Sequence, residues 1–159
     1  MKIFRPIGKI PGLFTGILNF LYDIRVFRRI DVGLPVISIG NLTLGGNGKT
    51  PLAIFIATSL KNLGYKPVIL CKGYTGNISL PTIVSAKHSS YDVGDEAILT
   101  NQEKICPVVT SKNKTKGARF IAEQKLGDII VLDDGHQHRR LARKVNILST
   151  YSGSIEKIK

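Results

Sequence analysis

The chain has 159 residues, a hydrophobic content of 43%, a charged content of 21% and a formal net charge of +12. This composition excludes an intrinsically disordered chain and fits a globular domain large enough to bury a core. The excess of basic residues favours anionic partners, which could be nucleotides, nucleic acid or anionic lipid. Cys71 and Cys106 lie far apart in the sequence and neither has zinc-ligand spacing, which indicates a reducing compartment.

An apolar stretch from Pro11 to Tyr22 lies near the start of the chain, and Arg25, Arg28 and Arg29 follow it. The stretch is shorter than the ~20 residues that a membrane-spanning helix needs. No small-residue cleavage pattern follows it, so a signal peptide is not indicated. Two interpretations remain open. The stretch is either a membrane-docking helix with its arginines at anionic headgroups, or a helix that covers the domain's own core.

A phosphate-binding loop is indicated where the predicted strand Val36–Ile39 runs into a glycine-rich turn ending in Gly48, Lys49 and Thr50. Glycines let the backbone curl around an anion, and the start of the following helix directs free N–H groups at it. Lys49 is expected to reach the β- and γ-phosphates of a nucleotide, and the Thr50 hydroxyl to hold Mg²⁺. The alternative is a glycine-rich turn with an incidental lysine.

The loop departs from the usual G-x-x-x-x-G-K-[ST] pattern because Thr43 occupies the position of the first glycine. Two later glycines still supply residues that tolerate positive φ. The candidate nucleotide-binding residues are Thr43, Leu44, Gly45, Gly46, Asn47, Gly48, Lys49 and Thr50.

Strand and helix patterns alternate after this loop. The pattern predicts a helix over residues 51–63, apolar almost all round and therefore buried, with Gly64 at its C-terminus. Further helices are expected over residues 94–101 and, as an amphipathic helix with a lysine-rich start, over residues 114–126. The later strand candidates are Val68–Cys71, Thr82–Ser85, Pro107–Thr110, Ile129–Leu132 and Val145–Leu148. The alternation predicts an α/β fold: a three-layer, phosphate-loop NTPase-like domain with a mostly parallel sheet.

A second chemical constellation follows the strand Ile129–Leu132, which ends in Asp133 and Asp134. Acids at the end of a neighbouring strand complete the Mg²⁺ shell in phosphate-loop enzymes, so these residues are expected to meet Thr50. The alternatives are acids that cap a strand-to-loop transition, or a transition-metal site that includes His136 and His138. A basic run then either holds phosphate or forms a solvated face, and it comprises Arg139, Arg140, Arg143 and Lys144.

Asp95 lies at the start of the short helix predicted over residues 94–101. A carboxylate in this position is most simply an N-cap. It could instead be a base that takes a proton from an attacking hydroxyl. The local sequence favours the cap.

Four motifs in this order resemble those of the tetraacyldisaccharide 4′-kinases of lipid A biosynthesis. They are GNLTLGGNGKTP at residues 40–51, KGYTGN at 72–77, VGDE at 93–96 and LDDGHQHRRL at 132–141. The resemblance extends from the apolar N-terminal stretch to about residue 150 and implies a kinase that uses ATP and Mg²⁺. The implied reaction transfers the γ-phosphate to the 4′-hydroxyl of a tetraacyldisaccharide 1-phosphate.

The resemblance also assigns roles. It implies that Asp95 and Lys49 are catalytic, and it makes Thr43 a family trait rather than a defect. The implied metal-binding residues are Thr50, Asp133, Asp134 and, with a less defined part, Glu96. The implied partners are the lipid A disaccharide precursor and the inner-membrane surface, at its cytoplasmic face, and no nucleic acid is expected.

Some positions depart from the family pattern. Lys72 stands where arginine is usual, His136 where phenylalanine is usual, and Lys144 where aspartate is common. The family's C-terminal half is missing from this sequence, so nucleotide binding is expected to survive while phosphoryl transfer is impaired or lost. The alternative is a phosphate-loop NTPase or a nucleotide-binding remnant. The expected divisions are a membrane-associated segment over residues 1–33, a kinase N-terminal domain over 34–150 and a divergent tail over 151–159.

Overall fold

A six-stranded sheet forms the centre of the computed structural model, which describes residues 29–41, 48–73, 78–135 and 140–149. The strands are arranged in the order β3-β4-β2-β5-β1-β6. Every pairing is parallel except that of β3 with β4, so the prediction of a mostly parallel sheet is confirmed. The strands are β1 (Val36–Asn41), β2 (Pro67–Cys71), β3 (Thr82–Ile83), β4 (Val108–Thr110), β5 (Ile129–Leu132) and β6 (Val145–Ser149).

The predicted helices are also present in the described residues. They are α1 (Lys49–Asn62), α2 (Ser90–Val93), α3 (Asp95–Gln102) and α4 (Lys114–Glu123), of which only the single-turn α2 was not predicted. Gly64 follows α1 with φ +90°, and its N–H donates to the Lys61 carbonyl at 3.0 Å. Glycine ends this helix because other residues rarely adopt that backbone conformation.

Helices cover both faces of the sheet. Along the fully buried β2, Val68 and Leu70 pack with α4, whereas Ile69 and Cys71 pack with α1 and α3 on the opposite face. A strand whose side chains are apolar on both faces is typical of a parallel sheet between two helical layers. The three-layer prediction is therefore confirmed.

The prediction that α1 is buried all round is wrong. Ala53 and Ala57 are fully buried against the sheet, but the Phe55 side chain on the outer side is 67% exposed. The helix forms an outer layer, so one side contacts the sheet and the described residues leave the other side open.

The predicted docking helix lies outside the described residues. Within them, no helix combines the length and apolar character needed to cross a membrane.

Parallel strands bring their carboxyl ends to one edge of the sheet. Beyond β1 the chain enters α1 at Lys49, and beyond β2 it continues to Lys72. Beyond β4 it reaches Lys114, and beyond β5 it reaches Asp133 and Asp134. Ligand sites of open α/β sheets lie at this edge, so the fold itself gathers these charged side chains at a candidate site.

Gly127→Ala is expected to destabilise the protein by about 3 kcal/mol, because a Cβ at this position would overlap the Lys66 carbonyl oxygen. That carbonyl accepts the Asp128 N–H at 3.0 Å, so it is held in place. Gly64→Ala is the matched control: it meets no atom within 4 Å and should cost about 1–2 kcal/mol through its positive φ alone. Urea unfolding of both variants measures the difference, and an equal loss in the two would refute steric overlap as the cause.

Candidate functional site

Two contacts join the start of α1 to the end of β5. The Lys49 ammonium lies 2.9 Å from Asp134 Oδ1, and the Thr50 hydroxyl lies 3.3 Å from Asp133 Oδ2. The sequence predicts that Asp133 and Asp134 meet Thr50 across the crevice; the structure brings Asp133 to Thr50 and, in addition, pairs Asp134 with Lys49. The site therefore presents a lysine, a hydroxyl and two carboxylates at the carboxyl edge of the sheet.

The turn that carries the two aspartates is tied to the strands on either side of β5. The Asp133 N–H donates to Leu70 O of β2 at 3.2 Å, and the Gly135 N–H donates to Ile39 O of β1 at 2.9 Å. Asp134 adopts φ +52°, a left-handed conformation that aspartate tolerates better than most residues. At Gly135 a Cβ would overlap Ser38 Oγ, so the close approach to β1 requires glycine.

The two carboxyl groups differ in environment. Burial raises the pKa of Asp133, although the Lys114 charge and the Thr50 hydrogen bond partly oppose the rise. Burial also acts to raise the pKa of Asp134, but the hydrogen bond and charge of Lys49, together with the charges of Lys72 and Lys114, outweigh it and hold this pKa below its usual value. Among the described residues, Asp133 Oδ1 is buried without a hydrogen-bond partner. A buried carboxylate oxygen in this state is an open position for a cation.

Lys114, the first residue of α4, is only 1% exposed and lies beneath the aspartate turn. Its ammonium donates to Leu70 O and to Asp133 O, each at 3.0 Å. Burial lowers the pKa of Lys114 to about 8, against the opposing attraction of the Asp133 carboxylate. Burial and the Asp133 charge raise the pKa of the adjacent Cys71 to about 12, so this thiol is neutral and unsuited to nucleophilic chemistry.

The sequence pattern alone does not single out Lys114. Its position is what marks it as unusual: Lys114 follows the Asn113 N-cap, in a first helical turn with no acidic residue. Cations at a helix N-terminus oppose the helix dipole, so such a lysine needs another reason to be there.

Asp95 is not the N-cap that local sequence favours. Gly94 takes that position with φ +94° and ψ +149°, and Asp95 is the first helical residue of α3 with an exposed side chain. The capping carboxylate in this region is instead Asp92 of α2, whose Oδ2 accepts from the Ser89 N–H at 2.9 Å. Asp92 at N3 completes a capping box there, and the sequence interpretation did not identify it.

Asp95 nevertheless lies at the site's edge of the sheet. Thr110 Oγ1 at the end of β4 donates to Val93 O at 3.2 Å, which ties the end of α2, two residues before Asp95, to that edge. Neither Asp95 nor Glu96 hydrogen-bonds, through its carboxylate, to the cluster of Lys49, Thr50 and the paired aspartates in the described residues. The roles predicted for Asp95 and Glu96 stay predictions.

Several predicted residues lie outside the described part of the chain. These are the loop residues Thr43, Leu44, Gly45, Gly46 and Asn47, together with His136, His138 and Arg139. Gly48 is described: it precedes α1 with φ +73°. Within the basic run, Arg143 is half-buried and donates to Ser38 Oγ at 3.3 Å and to Asn146 Oδ1 at 3.0 Å. This arginine is therefore not part of a simple solvated face. No group of three or more His, Cys, Asp or Glu side chains that could hold a metal ion occurs in the described ranges.

A mostly parallel α/β sheet, with a helix that begins at Lys49 after Gly48 and whose first residues face paired aspartates, defines the class of phosphate-loop nucleotide-binding domains. The family model for LpxK, Tetraacyldisaccharide-1-P 4'-kinase, matches residues 1–151. The chain belongs to this family, as its four sequence motifs predict.

Individual relatives agree with this assignment. The chain is 33% identical over 147 residues to the tetraacyldisaccharide 4'-kinase of Tolumonas auensis, covering 92% of this chain and 45% of the relative. It is 40% identical over 136 residues to that of Syntrophus aciditrophicus, covering 82% of this chain and 36% of the relative. It is also similar to crystalline LpxK from Aquifex aeolicus in complex with ATP, with a TM-score of 0.80, 34% identity and coverage of 89% and 46%. The chain spans less than half the length of these proteins.

Proposed function

We propose that this chain binds Mg²⁺ and ATP at the carboxyl edge of its sheet, as the nucleotide-binding part of a tetraacyldisaccharide 4′-kinase. The observation that carries the proposal is the convergence of the Lys49–Asp134 and Thr50–Asp133 pairs around the open Oδ1 of Asp133. The ATP complex of the Aquifex aeolicus relative supports the choice of nucleotide.

The donor set fits Mg²⁺. The cation prefers oxygen ligands, and Thr50 Oγ1 and the carboxylates of Asp133 and Asp134 supply them. Among described residues, the open and buried Asp133 Oδ1 is an oxygen that a cation would satisfy. When bound, Mg²⁺ neutralises charge on the β- and γ-phosphates.

The ligand-free pairing of Lys49 with Asp134 prepares both groups for their ligands. The two opposite charges lie 2.9 Å apart and neutralise each other, and the exposed fraction of the side chain is 21% for Lys49 and 31% for Asp134. On binding, Lys49 transfers its hydrogen bonds to phosphate oxygens, and Asp134 becomes available to the metal. Neither state leaves a partly buried charge uncompensated, so the exchange avoids a large desolvation cost.

The finer parts of the proposal concern transfer to the lipid. The 4′-hydroxyl of a tetraacyldisaccharide 1-phosphate attacks the γ-phosphate in line, the bond from the γ-phosphorus to the β,γ-bridging oxygen breaks, ADP leaves, and Asp95 accepts the hydroxyl proton. Glu96 assists the metal or its water. Residues 1–33 dock on the cytoplasmic face of the inner membrane, residues 34–150 form the kinase N-terminal domain, and residues 151–159 form a divergent tail. The lipid partner and Asp95's role rest on family membership and on the position of α3.

A second candidate is nucleotide binding without phosphoryl transfer. It is favoured by the alignment, which covers 45% of the Tolumonas auensis relative, because residues of that kinase outside the aligned part can contribute to the lipid step. The two candidates share the nucleotide site and differ only in the lipid step.

Calorimetric titration of the chain with ATP, with and without Mg²⁺, tests the shared site. We expect micromolar affinity, strengthened at least about tenfold by Mg²⁺, because Thr50 and the aspartates would hold the cation and its charge would offset that of the phosphates. Incubation with γ-labelled ATP and detergent-dispersed tetraacyldisaccharide 1-phosphate then separates the candidates. Labelled lipid supports the kinase, binding without labelled lipid supports the second candidate, and absence of Mg²⁺-dependent binding refutes both.

A further inference from the structure

Lys114 is an unusual residue to bury. Its side chain is 1% exposed, and it occupies the first position of α4, where the helix dipole is positive. Removing an ammonium from water is costly, and the dipole adds to that cost. The neighbouring positions in the helix do not require a cation, because Gly117, Ala118 and Ile121 are buried by ordinary apolar packing.

The ammonium makes its hydrogen bonds to two backbone carbonyls rather than to side chains. Leu70 O belongs to β2 and Asp133 O follows β5, and each lies 3.0 Å from Lys114 Nζ. Leu70 O also accepts the Asp133 N–H at 3.2 Å. Lys114 therefore holds both the carbonyl of Asp133 and the carbonyl to which the Asp133 N–H is bonded.

This arrangement fixes the peptide groups on both sides of the Asp133 Cα. The carboxylate of Asp133 projects from that Cα toward Thr50, and the next residue, Asp134, is held at φ +52°. Hydrogen bonds from a cation are stronger than neutral ones, so a single buried side chain can hold a turn in this conformation. The positive charge also lies beneath two carboxylates that repel each other.

We propose that Lys114 is a positioning residue, which fixes the backbone of the Asp133–Asp134 turn so that both carboxylates face the metal and the nucleotide phosphates. It acts through the turn and does not touch either ligand. The inference rests on the proposed Mg²⁺ and ATP site. A purely structural lysine would instead stabilise the fold without affecting how the site binds metal.

Lys114→Met separates these roles, because methionine fills much of the same space without donors or charge. We expect the Kd for Mn²⁺, read by the electron paramagnetic resonance of the free ion, to rise about tenfold. The Mg²⁺-dependent gain in ATP affinity should fall by a similar factor, while metal-free ATP affinity should stay within about twofold. Lys114→Arg keeps the charge and the donors, and it should recover most of the metal affinity.

Two controls exclude indirect effects. Lys116→Met removes an exposed charge from the same helix, and Ile121→Val loosens the same helix without altering the turn. Both should keep the metal dependence of the wild type, even where urea unfolding shows lower stability. If Lys114→Met does not fold, Lys114→Gln replaces it, since its amide donates without charge, with an expected rise of about threefold.

The outcomes distinguish the two proposals. A wild-type chain that binds neither Mn²⁺ nor ATP with metal dependence overturns the proposed function, and the role of Lys114 falls with it. A wild-type chain that shows both, together with a folded Lys114 variant that keeps the full metal dependence, overturns the positioning role alone. A variant whose loss of metal affinity matches that of Ile121→Val would also overturn it.

Discussion

Lys49→Met is expected to weaken ATP binding in the presence of Mg²⁺ by at least about 100-fold, or about 2.7 kcal/mol, while the fold remains intact. An ammonium that hydrogen-bonds to phosphate oxygens in a partly buried site contributes through charge and through its donors, and methionine has neither. In the ligand-free protein the same change removes only the ion pair with Asp134, in which both side chains are partly exposed. Such pairs contribute about 0–1 kcal/mol, so unfolding should change little.

Lys87→Met is the matched control, because it removes an exposed lysine from the segment between β3 and α2. Its ATP affinity should equal that of the wild type. In Lys49→Met the pKa of Asp134 should also rise, since the hydrogen bond and charge of Lys49 are the largest of the interactions that oppose burial at this carboxyl group. Carbon-detected NMR titration of Asp134 measures this rise directly. Unchanged ATP affinity in Lys49→Met would contradict a phosphate-binding role for the lysine.

The strands were predictable where burial on both faces determines their composition. Ile129–Leu132 matches β5 to the residue, because an uninterrupted apolar run flanked by polar residues leaves little choice of boundary. The end of β1 was not predictable in this way. Gly40 and Asn41 extend this strand by pairing with Leu148 and Ser149 of β6, and that pairing depends on residues distant in sequence. The antiparallel direction of β3 is likewise set by its neighbour β4.

The site was predictable as far as strand order allowed. Residues that follow parallel strands must meet at one edge, which is why Thr50 and Asp133 could be paired from sequence alone. Lys114 resembled the solvated start of an amphipathic helix, and its burial follows from the convergence of the ends of β2 and β5. The local pattern favours Asp95 as a cap, whereas the structure has Gly94 in that position, because Gly94, with φ +94°, takes a backbone conformation that the sequence pattern does not reveal.

Asp133→Asn is expected to abolish the effect of Mg²⁺ on ATP binding without lowering the stability of the ligand-free protein. The amide keeps an oxygen that can accept the Thr50 hydroxyl, now 3.3 Å from Asp133 Oδ2. It lacks the negative charge that a divalent cation requires of its ligands. Metal-free ATP affinity, which depends on Lys49 and the loop, should change by less than about threefold. Titration with ATP at several Mg²⁺ concentrations measures both quantities.

The direction of the Asp133 pKa shift explains why Asp133→Asn should not lower the stability of the ligand-free protein. Burial raises the pKa of Asp133 in the folded state, so the folded protein holds its proton to a higher pH than the unfolded chain does. Stability contributed by this group therefore falls as pH rises through that interval, and at pH 7 the ionised carboxylate opposes folding. Asparagine removes this opposition at the cost of a neutral buried N–H₂, which is a smaller penalty than a buried charge.

Asp128→Asn, at the opposite end of β5, is the control, and it should keep full Mg²⁺ dependence. If urea unfolding shows that Asp133→Asn lowers the free energy of unfolding by more than about 1 kcal/mol, the carboxylate stabilises the fold. Its unpartnered oxygen would then not indicate a cation site.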